Sequence, residues 1–96
     1  MKIIYAKEVK KQLQNIKEFI ALDNKRRAID YLKKIKEKIE ILGKYPYIGK
    51  VNVTMDSANI REFVILGYKV IYKINENSIT ILAIYKYIDF DEEGLE

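Results

Sequence analysis

"IREFVILGYKVIYKINENSITILAIYKY", residues 60–87, decides the fold. Nearly every residue in it favours a strand, and the run is broken only at Gly67 and at Asn75 to Ser78. Breaks this short join antiparallel neighbours, so the stretch predicts strands over 60–66, 68–74 and 79–87, folded as a meander. Side chains alternate across a strand. In 68–74 one set is Tyr68, Val70, Tyr72 and Ile74, wholly apolar or aromatic; the other is Lys69, Ile71 and Lys73. The first set belongs beneath a covering layer and the second on an open face.

Register is the next question. A two-residue loop of Leu66 and Gly67 pairs Val64 with Lys69 and Glu62 with Ile71. Glu62 then shares the open face with Lys69, and Arg61 turns the other way. A three-residue loop exchanges the two, and the sequence leaves both registers open. In the last strand Leu82, Ile84 and Lys86 share one parity, and Ile81, Ala83, Tyr85 and Tyr87 the other. Both sets are apolar until the end, where Tyr85, Lys86 and Tyr87 come together. A cation flanked by aromatic rings can hold a phosphate and stack on a base. Tyrosine is also an ordinary strand former that keeps its hydroxyl wet, which suffices for any one of these rings alone.

The covering layer lies upstream. "KIIYA" at 2–6 reads as a short strand. Val9, Leu13, Ile16 and Ile20 then form one stripe of a helix, and Ala28, Leu32, Ile35, Ile39 and Leu42 form a second over about 25–43. Asp23 or Asn24 caps the second helix. Gly43 ends it, and Pro46 forbids its continuation. The short link between the helices predicts an antiparallel hairpin. "VNVTM" at 51–55 adds a possible edge strand. The order is strand, helix, helix, then three or four antiparallel strands. That is an α+β fold with the hairpin on one face of the sheet. One domain is expected over 1–96, with residues 89–96 an acidic tail.

Composition narrows the chemistry. The chain has 96 residues, 49% apolar and 33% charged, which is a globular balance. There is no cysteine, hence no disulfide or thiolate zinc site, which fits a reducing cytoplasm. There is no histidine, so any acid–base chemistry falls to Lys, Tyr, Asp or Glu. No apolar run is long enough to cross a membrane, and the opening apolar patch is too short for a secretory signal. A cytoplasmic protein with no membrane partner, cofactor or metal is expected. Residues 25–50 carry nine basic and three acidic side chains, whereas 87–96 carry five acids and no base. A basic surface attracts phosphate backbones or an acidic protein. A solvated lysine-rich helix face produces the same count.

The pieces together resemble the RelE/ParE superfamily, bacterial toxins of type II toxin–antitoxin systems. A helical hairpin ends in "ILGKYPYIGK" (41–50), followed by "IREF" (60–63), "GYKVIYKI" (67–74) and "SITILAIYKY" (78–87). The most specific pieces are the P-x-x-G of Pro46 and Gly49, the R-E-F from Arg61, and the run from Gly67 to Tyr72. The resemblance covers nearly the whole chain. It implies a protein held silent by an acidic antitoxin, which contacts the helices and the sheet edge. It also implies one of two activities: poisoning of DNA gyrase by ParE-like members, or mRNA cleavage in the ribosome by RelE-like ones.

In the nuclease case the catalytic candidates are Lys69, Lys86, Arg61, Glu62 and Tyr87. Lys69 would be the open-face cation with Lys86 beside it, and Glu62 the base. The candidates for gripping a target or nucleic acid are Arg61, Lys69, Lys73, Tyr85, Lys86 and Tyr87. Family members often carry arginine where Lys69 stands, and many nuclease members carry histidine or arginine near Lys86 and Tyr87. Lysine lacks the bidentate fork on phosphate and is a poor acid or base at neutral pH. The equipment suits gripping better than cutting, so gyrase inhibition is the first expectation and mRNA cleavage the alternative. An inactive homologue or a generic basic nucleic-acid-binding domain stands behind them. The acidic tail, Asp89 to Glu93, could instead fold back on the lysines.

Overall fold

The computed structural model describes residues 1–55 and 57–87. The chain runs β1 (Lys2–Tyr5), α1 (Lys7–Ala21), α2 (Lys25–Glu40), a 3-10 turn (Ile41–Gly43), β2 (Lys50–Val51), β3 (Ile60–Ile65), β4 (Tyr68–Ile74) and β5 (Ser78–Lys86). The expected α+β architecture is present. The expected role of the tail, residues 89–96, lies outside the described residues.

The sheet has five strands in the order β1-β5-β4-β3-β2. It is mixed, because β1 lies parallel to β5 while every other pair is antiparallel. Sequence patterning alone names no partner for β1. Its inward residues, Ile3 and Tyr5, pack against the core, and the outer edge of β5 offers the free backbone groups it needs. Beyond β1 the same edge is closed by α1, where the Gln12 side chain accepts a 2.8 Å hydrogen bond from the Ile84 N–H. The expected edge strand at 51–55 shrinks to Lys50–Val51.

The helices form as their stripes require. Asn24 caps α2, its Oδ1 accepting from the Arg27 N–H at 2.9 Å. Asp23 instead faces the Arg27 guanidinium at 3.8 Å. Val9, Leu13 and Ile16 of α1 and Leu32, Ile35 and Ile39 of α2 pack on Tyr68, Val70, Tyr72, Ile74, Ile79, Ile81 and Ile84. This is the apolar parity of β4, and the hairpin covers only that face.

The β3–β4 turn is the two-residue form. Ile65 pairs with Tyr68, and Leu66 and Gly67 both have positive φ, 49° and 87°. Such a turn matches the right-handed twist of the strands. Glu62 therefore joins Lys69 on the open face, and Arg61 goes opposite Tyr72 on the covered one. In β5 a bulge intervenes: Ile71 pairs with Ala83 but Tyr72 with Ile81, leaving Leu82 extra. Simple alternation along 79–87 thus fails at its middle. Ile79, Ile81 and Ile84 are all buried although Ile84 differs in parity from the other two.

Candidate target-binding surface

The open face gathers its polar groups around Glu62. This carboxylate is only 10% exposed, and three neighbours engage it. Lys69 Nζ lies 3.2 Å from Oε2 and Lys50 Nζ 3.6 Å from the same oxygen. Asn52 Nδ2 donates to Oε1 at 2.9 Å. A general base needs a free lone pair within reach of the proton it removes, and here each oxygen already faces a donor, two ammonium groups at Oε2 and the Asn52 amide at Oε1. The hydrogen bond to Glu62 raises the pKa of Lys69; burial works against this, and the negative field of Glu62 adds to it. Lys69 is thus a fixed ammonium at neutral pH. It can hold an anion, and it gives up a proton less readily than an unpaired lysine.

Two tyrosines frame this cation. Tyr85 is the cross-strand partner of Lys69, and the Tyr87 ring centroid lies 4.9 Å from Lys69 Nζ. Tyr87 is anchored by its backbone N–H, which donates to the Gly67 carbonyl at 2.9 Å. Lys73, exposed, follows four residues along on the same face, beyond Ile71 and between Ile60 and Thr80.

Lys86 does not stand beside Lys69. It pairs with Tyr68 on the covered side, its Nζ 5.9 Å from the Tyr68 ring centroid. Successive residues of a strand point to opposite faces, so Tyr85 and Lys86 separate. There Lys86 lines a cleft of about 490 Å³ with Phe19, Leu22, Arg27, Tyr31 and Tyr68. Tyr31 and Tyr68 meet edge to face with centroids 6.2 Å apart, and the Tyr31 hydroxyl donates to the Leu66 carbonyl.

Arg61 is likewise absent from the Lys69 cluster. Its Nη1 donates to the Gly49 carbonyl at 2.9 Å, and its guanidinium carbon lies 4.8 Å from the Tyr47 ring centroid. Its Nε is buried without a hydrogen-bond partner among the described residues. Beside it, the buried Tyr72 hydroxyl donates to the Pro46 carbonyl at 2.7 Å and accepts from the Gly49 N–H at 3.0 Å. Burial raises the pKa of Tyr72, while the Gly49 N–H and Arg61 oppose the rise. Gly49 has no room for a side chain, since a Cβ there would lie 2.5 Å from the Glu62 carbonyl oxygen and 2.6 Å from the Tyr72 hydroxyl. The P-x-x-G, the arginine of "IREF" and the second tyrosine of "GYKVIY" are therefore parts of one buried junction.

Sequence reasoning missed Asn52 and Lys50. Asn52 is 4% exposed. Its Oδ1 accepts from Thr54 N at 3.0 Å, Thr54 Oγ1 at 2.6 Å and Met55 N at 3.2 Å, while its amide grips Glu62. The available signal was the "NVT" run, in which an asparagine can bond its own chain two residues on. Among the described residues no group of three or more carboxylates could hold a metal ion.

Comparison with known proteins completes the picture. The family model described as ParE toxin of type II toxin–antitoxin system, parDE, matches residues 3–86. Among solved structures, the chromosomal ParDE toxin–antitoxin system from P. aeruginosa superposes with a TM-score of 0.76 at 15% identity. That match covers 92% of this chain and 97% of the other. At that identity the likeness speaks for the fold alone. A search of curated proteins finds no match.

Proposed function

The chain belongs to the ParE toxin family of type II toxin–antitoxin systems, and from that premise we propose that it arrests growth by binding DNA gyrase and trapping it on cleaved DNA. The observation that carries this reading is the state of Glu62 and Lys69. The carboxylate is engaged by Lys69, Lys50 and Asn52, and its bond to Lys69 favours the charged form of that lysine. Phosphodiester transfer needs a base, an acid and a cation at one point. On this face Lys69 supplies the cation while the one carboxylate beside it is already paired, so contact accounts for its equipment better than catalysis does. Such a protein works in the cytoplasm, where gyrase and its DNA are. No helix among the described residues is long and apolar enough to cross a membrane.

A cognate antitoxin would hold the toxin silent. The cleft between the hairpin tip and the β3–β4 turn suits it, with exposed Phe19 and Leu22 beside Arg27 and Lys86. An amphipathic acidic segment fits such a groove by seating apolar anchors between the cations.

The test is purified toxin with gyrase, ATP and supercoiled plasmid. Linear, protein-linked DNA should accumulate, and pre-mixing with antitoxin should prevent it. Growth arrest without cleaved DNA would remove gyrase as the target. The Lys69 cluster, with Tyr85 and Tyr87 around a cation, keeps one alternative in play, ribosome-dependent mRNA cleavage. That reading requires message cut in translating ribosomes and abolition of the cut by Lys69→Ala.

A further inference from the structure

The edge of the sheet next to the buried junction exposes Tyr47, Ile48, Val51, Val53 and Met55 within nine residues. Val53 is 92% exposed and Tyr47 62%. Exposed apolar side chains grouped this closely along an edge of the chain are of the kind that serves an interaction surface.

The backbone that presents them is tied down. Tyr72 bonds the chain on both sides of Tyr47, at the Pro46 carbonyl and the Gly49 N–H. Arg61 takes the Gly49 carbonyl. The Asn52 N–H donates to the Ile60 carbonyl at 2.9 Å, and its side chain accepts from Thr54 and Met55. A loop ordered in advance loses little entropy on association, so its apolar contacts convert more fully into affinity. Arg61 stacked on Tyr47 adds the two residue types that most often dominate binding energy at interfaces.

We propose that this edge, Tyr47 to Met55 with Arg61, is the surface with which the toxin seizes its target protein, and that it takes an acidic patch with an apolar centre. The inference rests on the toxin reading above, but not on gyrase being the target. Charge selects the partner. Residues 44–55 contain Lys44 and Lys50 and no acid. Glu62, the β3 carboxylate, is nearly hidden by its own partners. A second copy of the chain would meet like charge, since eighteen basic and nine acidic residues precede position 88. Nucleic acid would find no ring or donor on Ile48, Val51, Val53 or Met55. The cleft assigned to the antitoxin shares no residue with this edge.

The experiment expresses the full chain from a titratable promoter, as wild type and as Tyr47→Ser and Val53→Asp. Four quantities are read: growth arrest, antitoxin co-purification, melting temperature and affinity for a short DNA duplex. Val53→Asp should leave the fold and the antitoxin complex intact, while the inducer needed for arrest rises by about tenfold or more. Tyr47→Ser should act in the same direction. Should Tyr47→Ser melt early, Val53→Asp decides, because its side chain touches little.

Equal toxicity of Val53→Asp and wild type overturns the proposal, as does loss of the antitoxin complex in place of toxicity. A fall in duplex affinity parallel to the fall in toxicity also overturns it, by giving the edge to nucleic acid. Loss of toxicity in the variants, with a wild type that arrests growth but leaves gyrase untouched, supports the edge and refutes the gyrase reading. A wild type that does not arrest growth refutes both.

Discussion

One residue of register separates the two faces of this sheet, yet they follow different physical rules. The covered face holds Tyr68, Val70, Tyr72, Ile74, Ile79, Ile81 and Ile84, all buried against the helical hairpin. The solvent face holds Glu62, Val64, Lys69, Ile71, Lys73 and Tyr85, half-buried or exposed, with the Glu62 carboxylate covered by its own polar partners. On the first, stability comes from area removed from water and from the lack of room for change. On the second, packing decides little, and charge and ring placement are free to serve a partner. The contrast teaches where substitutions will unfold the protein and where they will only disarm it.

The largest expected effect tests that contrast directly. Ile81→Ala should cost about 3–4 kcal/mol, the cavity of a fully buried isoleucine. Val64→Ala, on the open face, should stay within about 0.5 kcal/mol. Urea melts of the two variants check this, and similar midpoints would erase the distinction. Gly49→Ala comes next at about 3 kcal/mol, because its Cβ would strike backbone at Glu62. Tyr72→Phe should cost about 2 kcal/mol, since it strands the Gly49 N–H and the Pro46 carbonyl without a partner.

A pH scan sharpens the comparison further. Tyr5, Tyr68 and Tyr72 are raised above the ordinary tyrosine value, each first by burial, and Lys69 is raised above that of lysine by its bond to Glu62. In all four, folding favours the protonated form. Their contribution is complete below the unfolded values, near pH 10, and is lost as pH climbs through the folded ones. Thermal melts should therefore hold steady up to about pH 10 and fall above it. Tyr72→Phe should flatten part of that fall. A midpoint that rises in this range would contradict the burial argument. The smallest effect belongs to the turn. Leu66 carries a left-handed φ of 49°, which glycine adopts without penalty, so Leu66→Gly should stabilise by about 1 kcal/mol.

Much of the covered face was legible beforehand because helices and strands announce their periods. Val9 to Ile39 and Tyr68 to Ile74 carry one-sided stripes that leave no second arrangement. The open face was harder. Glu62 and Arg61 differ by one position, and only the length of the turn at Leu66 and Gly67 assigns them. The bulge at Leu82 carries no signal at all, since both parities of β5 are apolar there and either is fit for burial. The pairing of β1 was hidden for a related reason: Ile3 and Ile4 are equally suited to the core. Lys86 shows the limit of proximity in sequence, since adjacency to Tyr85 places it on the other side of the sheet.

Leu82 bears on how kinship is traced in such small proteins. A strand that absorbs an extra residue by puckering keeps Tyr85 and Lys86 pointing as they do, whether or not that residue exists. A relative one residue shorter between Ile81 and Tyr85 would display the same surface while every later column of an ungapped comparison set unlike positions against each other. Shared ancestry in this family is then better judged by what lies across from Lys69 and Tyr68 than by counting matched letters.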